Sequence, residues 1–144
     1  MSTTPPSVTF FLQLAKTQAM LSNRFDRSLG GIGFTEFLIL LHLDQAPGGQ
    51  LSRIELAENV GLTASGVTRL LLPMAKVGLI KNGPASPDAR VRPVMASKSG
   101  QQKMVDELKR LQFMTDELLS SCKKQDIENM MAVLRDIGGR VAMK

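Results

Sequence analysis

Ala57, Gly61 and Val67 stand four and then six positions apart, and this register constrains the fold of the chain more than any other feature. Two short helices that cross at close range need a small residue at the crossing, a turn residue that tolerates positive φ, and an apolar anchor on the second helix. Ala57, Gly61 and Val67 supply these in order, and Leu56, Val60, Leu62 and Leu70 fill the other apolar positions of the register. Ser52 followed by Glu55 is a capping box, each side chain satisfying an orphan backbone N–H of the other, so a helix is expected from about Arg53 to Val60. Thr63 is placed to cap a second helix reaching about Val77, with Gly78 as its left-handed terminal residue.

Leu79–Asn82 and Arg92–Ala96 have the length and composition of strands, and the turn-rich stretch Gly83, Pro84, Ala85, Ser86, Pro87, Asp88 between them predicts a hairpin. Residues 51–98 thus read as a helix-turn-helix followed by a β-wing. Any one of these matches is common in helical proteins; the capping box before and the hairpin after make the set specific.

Helical periodicity extends to both sides. Phe11, Leu14, Leu21, Phe25 and Leu29 predict a first helix over about 8–29, stopped by Gly30, Gly31 and Gly33. Thr35 is the expected cap of a second helix, whose broad apolar face of Phe37, Leu38, Leu40, Leu41 and Leu43 belongs at the centre of a core. Two long one-sided helices follow, one over about 99–121 and one through Ile127, Met130, Met131, Leu134, Ile137 and Val141. At about 1.5 Å per residue the first of these spans roughly 35 Å, too long for the small central core to cover from one side. Burial against a second copy of the chain is the favoured outcome, with a monomer whose terminal helices pack on each other as the alternative. The expected fold is mainly α with a small β-hairpin wing. Its parts are an N-terminal arm and dimerisation helix (1–34), a winged helix-turn-helix (35–98) and C-terminal dimerisation helices (99–144).

Composition narrows the function. With 144 residues, 43% of them hydrophobic, the chain can bury one compact core. The first seven residues do not resemble a secretory leader and no stretch approaches the length of a membrane span, which predicts a cytoplasmic protein with no membrane partner. One cysteine and one histidine leave no expected metal site, and no nucleophile–base pair, phosphate-binding glycine loop or paired carboxylates predict catalysis or a cofactor. Cys122, beside Lys123 and Lys124, is weighed as a redox switch but read as a small apolar residue. His42 is weighed as a pocket residue but read as a satisfied helix histidine. The nine methionines are read as adaptable packing, with a Met-lined effector pocket as the alternative.

Charge points to double-stranded DNA. The net charge is +5, and residues 51–98 hold seven basic residues (Arg53, Arg69, Lys76, Lys81, Arg90, Arg92, Lys98) against three acidic ones, while the rest of the chain holds eleven against ten. A surface that neutralises phosphates needs such a concentration. With Val67, Leu70, Leu71 and Met74 facing the core, the second helix of the motif turns Ser65, Thr68, Arg69 and Lys76 outward. Arg69 is the expected bidentate reader of guanine O6 and N7, with Ser65 and Thr68 making shorter contacts. The wing run Pro87-Asp88-Ala89-Arg90-Val91-Arg92 puts Arg90 at a tip able to enter a minor groove, with Asp88 holding it by a charge-assisted hydrogen bond. The expected DNA-binding set is Thr63, Ser65, Thr68, Arg69, Lys76, Asp88, Arg90 and Arg92. The runner-up is a protein-interaction module whose basic surface meets an acidic partner.

Taken together, Leu62-Thr63-Ala64-Ser65-Gly66-Val67-Thr68-Arg69-Leu70, Gly78-Leu79-Ile80, Asp88-Ala89-Arg90 and Gly100 resemble the MarR family of dimeric winged-helix transcription factors over nearly the whole chain. The resemblance implies a homodimer held by the first, fifth and sixth helices, with recognition helices in successive major grooves. Arg90 matches the family's wing arginine and Asp88 its partner. The function implied is a transcriptional repressor, less often an activator, on a pseudo-palindromic operator. Release would follow from small aromatic or anionic ligands or from cysteine oxidation, and no residues of an effector pocket are assigned. Two departures stand out. Leu72 and Pro73 replace a frequent charged pair, and Pro73, lacking the N–H that would bond the carbonyl of Arg69, is expected to bend the helix there. Lys81-Asn82 stands where the first wing strand often has arginine.

Overall fold

The computed structural model describes residues 3–84 and 92–143. The chain forms two compact units, Met1–Leu111 and Gln112–Lys144. In order, the elements are α1 (Pro6–Ser28), α2 (Phe34–Gln45), a 3-10 turn (Pro47–Gly49), β1 (Gln50–Leu51), α3 (Arg53–Val60), α4 (Ala64–Lys76), β2 (Ile80–Asn82), β3 (Val94–Ala96), α5 (Lys98–Leu118) and α6 (Lys124–Ala142). The second unit comprises the last turns of α5 and the whole of α6.

α1 starts two residues earlier than its apolar periodicity indicates, because Pro6 occupies the first helical position, where its missing N–H costs nothing. The start of α2 corrects the expected cap. Gly33, not Thr35, is the N-cap, since the work of a capping side chain is done from elsewhere. Asp26 on α1 accepts from the Phe34 N–H at 2.6 Å, and Glu36 accepts from the Gly33 N–H at 3.3 Å. The Phe25 and Phe34 rings, 4.9 Å between centroids, pack across the same junction.

α2 is the centre of the core. Phe37, Ile39, Leu40 and Leu43 are wholly buried, joined by Leu56 and Ala57 of α3, Val67, Leu71 and Met74 of α4, Val94 and Ala96 of β3, and Met104 of α5. Each fully buried side chain of this size contributes about 1.5–3 kcal/mol of apolar transfer energy.

The strands form a three-stranded antiparallel sheet in the order β1-β3-β2. Ile80 pairs with Ala96, Lys81 with Met95 and Asn82 with Val94, as a wing hairpin requires. Both wing strands are shorter than their sequences suggest. Leu79 is spent on helix termination, its N–H bonding the carbonyl of Met74 at 2.9 Å. The return strand starts at Val94 rather than Arg92, because Pro93 has no N–H to give to a ladder; its carbonyl instead accepts from Gly83 at 2.7 Å. β1 has no signature in the sequence: two residues carry no periodicity, and they become a strand only by pairing with Met95 and Val94.

One polar cluster joins α5 to the α1–α2 turn. Glu107, 1% exposed, accepts from the Gly30 N–H at 2.8 Å, and its carboxylate lies 3.4 Å from Lys103 and 3.8 Å from Arg110. Lys103 also donates to the Gly30 carbonyl. A charge this deeply buried is tolerated because its lone pairs are occupied. At the start of α5, Gly100 lies so close to the Leu79 backbone that a Cβ would overlap the carbonyl oxygen.

Two stability changes follow. Glu107→Ala should lower the urea-unfolding free energy by about 2 kcal/mol, since it leaves the Gly30 N–H unpaired and removes the carboxylate beside Lys103 and Arg110; an unchanged midpoint would show that the cluster holds nothing. Gly100→Ala should cost about 3 kcal/mol or more, as helix and wing base must separate, and wild-type stability would contradict that close approach.

Candidate nucleic-acid interface

The turn between α3 and α4 has the geometry its sequence demands. Ser52 accepts from the Glu55 N–H at 3.1 Å, forming one of the two bonds of the capping box. α3 ends on Gly61 in the left-handed conformation, φ 69° and ψ 33°, and the Leu62 N–H closes the helix on the carbonyl of Ala57 at 3.0 Å. Ala57 is buried at the crossing and Val67 is fully buried on α4. Leu62 departs from expectation. It is 40% exposed and lies outside the core, whereas Val60 and Leu70 pack against it as partly buried residues.

α4 is capped by Thr63, whose hydroxyl accepts from the Gly66 N–H at 3.1 Å and lies 3.1 Å from the Ser65 hydroxyl. Thr68 donates to the carbonyl of Ala64 at 3.0 Å, which leaves its oxygen free to accept. The helix is one uninterrupted element from Ala64 to Lys76, with Pro73 inside it. Val67, Leu71 and Met74 are buried, while Thr63, Ser65, Thr68, Arg69 and Lys76 are exposed. Ser65, Arg69, Leu72 and Lys76 follow helical spacing and form one outward stripe. The helix contains no acidic residue.

Beside α4 lies a cleft of about 290 Å³, lined by Arg53, Thr68, Leu71, Leu72, Ala75, Ile80, Lys81, Asn82 and Val94. Its far wall is the wing sheet. Arg53, not singled out from the sequence beyond its charge, ties the start of α3 to the wing at the loop end of its ladder: its Nη1 donates to the Arg92 carbonyl at 3.3 Å. Nothing local in the sequence marks that role, since the partner is 39 positions away. Arg92 is exposed at the foot of β3, and Lys81 and Asn82 are exposed on β2. Asp88 and Arg90, the expected wing-tip pair, lie outside the described residues.

Among the described residues, no cluster of His, Cys, Asp and Glu is arranged to hold a metal ion, and no helix is long and apolar enough to cross a membrane. Cys122 is exposed and His42 half-buried.

No family model matches the sequence. Solved structures match it over nearly its whole length. The transcriptional regulator BldR from Sulfolobus solfataricus is 22% identical, with a TM-score of 0.86, covering 97% of this chain and 99% of that one. A MarR-family transcriptional regulator from Streptomyces coelicolor, solved in complex with DNA, is 15% identical with a TM-score of 0.80, covering 96% and 89%. The PcaV transcriptional regulator from the same organism, solved with its natural ligand, is 14% identical with a TM-score of 0.79, covering 96% and 98%. With its helix-turn-helix, its three-stranded wing sheet and the long helices at either end of the chain, this protein has the fold of the MarR-family transcriptional regulators.

Proposed function

We propose that this protein is a sequence-specific, double-stranded-DNA-binding transcriptional regulator, acting as a repressor and performing no catalysis. The observation that carries this reading is the outward face of α4. Ser65, Thr68, Arg69 and Lys76 are exposed on it without an acidic neighbour on the helix, while Val67, Leu71 and Met74 anchor the opposite side. A helix with such an outward face can enter a major groove, and its N-terminus favours phosphate. Arg69 would read guanine, Thr63 and Lys76 would meet the backbone, and Arg90, held by Asp88, would enter the flanking minor groove together with Arg92. One of the matching regulators was solved on DNA, which supports the same use of the fold.

The reading includes a homodimer, with residues 35–98 binding DNA and residues 1–34 and 99–144 joining the two copies. α1 exposes Val8, Phe10, Phe11, Leu12 and Met20, and α6 exposes Met130, Met131, Val133 and Leu134. Apolar surface of this extent is the kind that a partner covers. It also includes release from DNA by a small aromatic or anionic effector; the PcaV regulator, solved with its natural ligand, supports a ligand-binding role for a protein of this fold.

Selection from a random duplex library, followed by fluorescence anisotropy, tests the function. A pseudo-palindrome with half-sites about one helical turn apart should emerge, with affinity falling steeply as salt rises; failure to enrich any site would refute it. Arg69→Ala should weaken binding to the selected site by about tenfold or more without changing the thermal midpoint. Arg90→Ala should weaken it through the minor groove, most strongly where flanking A·T runs narrow that groove. Sedimentation equilibrium should give twice the chain mass at micromolar concentration, and a monomer there would rule out the dimer.

A further inference from the structure

The exposed stripe of α4 contains one residue that its chemistry does not lead one to expect. Leu72 is 62% exposed, on the face that carries Ser65, Arg69 and Lys76, one turn beyond Arg69 and one turn before Lys76. Two leucines of the same helix are treated differently: Leu71 is buried in the core, and Leu72 is exposed on the wall of the cleft that Lys81 and Asn82 also line. Exposing a leucine costs solvation free energy that a polar residue there would avoid. A single exposed leucine needs no explanation on an ordinary surface. Here it is flanked along the stripe by two cations and lines the same cleft as Arg53 and Lys81, so the occupant that suits this face is anionic around an apolar spot.

A DNA major groove has that character. Its rims are phosphates, and its floor carries one purely apolar group, the C5-methyl of thymine. The geometry points to Leu72 as a specificity-determining residue that packs on a thymine methyl in each half-site, beside the guanine read by Arg69. This inference rests on the DNA-binding reading above and adds a base preference to it. Three residues of helix separate Arg69 from Leu72, about 4.5 Å of rise, so the thymine should lie about one to two base pairs from the guanine. Pro73 follows immediately and removes one donor from the helix interior, so the apolar character of this spot extends over two residues.

The test replaces thymine by uracil, which removes only the methyl group, one position at a time in the selected duplex. Affinities are measured by anisotropy for the full-length protein and for Leu72→Ala, whose exposed position and helix-favouring replacement leave folding intact. For the native protein, uracil at one thymine per half-site should weaken binding about three- to fivefold per site, the worth of one methyl group removed from water. Leu72→Ala should bind the thymine duplex more weakly by at least as much, and should no longer distinguish thymine from uracil there. Two results would overturn the inference while leaving DNA binding intact: no thymine at which uracil matters, or a uracil penalty that persists unchanged in Leu72→Ala. If selection enriches no duplex at all, the DNA-binding reading fails and this one falls with it.

Discussion

The rotation of α4 about its own axis is the constraint on which the rest of this structure depends. Val67, Leu71 and Met74 are buried in the core around Phe37, Leu40 and Leu56, and that burial leaves the helix a single rotational setting. A turn of the helix by one residue would expose Val67 and drive a polar side chain into a core with no partner for it, at a cost of several kcal/mol. The outward stripe is therefore a consequence of the inward one. Gly61 enforces the same setting from the chain direction, since its left-handed conformation aims α4 across α3.

Among the described residues, the wing strands are positioned by a different set of contacts. β3 lies between β1 and β2, the Leu79 N–H ends α4, and Arg53 reaches from the start of α3 to the Arg92 carbonyl. The sheet is thus tied to α4 at one end of its ladder and to α3 at the other, and the cleft between α4 and the sheet is lined from all three. Elsewhere in the same unit, Glu107 joins α5 to the turn between α1 and α2 through the Gly30 N–H. The α1–α2 turn and α5 are therefore joined by specific polar bonds as well as by apolar packing.

Much of this was legible in the sequence because it is local. Capping by Ser52 and Thr63, termination at Gly61 and Gly78, and the inward periodicity of α4 all involve residues within a few positions of each other. What was not legible depends on distant partners. Gly33 takes the cap expected of Thr35 because Asp26 serves the first turn from another helix, β1 exists only by pairing with β3, and Glu107 looks like a surface charge until Gly30 meets it. Leu62 has the correct register for the core yet lies outside it, since the left-handed turn at Gly61 carries the chain away before α4 begins. The outward set on α4 was likewise readable, because what faces out follows from what faces in. The contribution of Arg53 depends on a carbonyl 39 residues away and was not.

The measurement that bears most directly on the central claim is methylation interference at guanine N7 on the selected duplex, performed with the native protein and with Arg69→Ala. If α4 reads the major groove through its outward stripe, methylation of one guanine per half-site should block the native protein, because the methyl group occupies the atom that Arg69 contacts. The same methylation should make little difference to Arg69→Ala. Interference at no guanine, or interference equally strong in the variant, would show that this face of α4 does not read the base sequence.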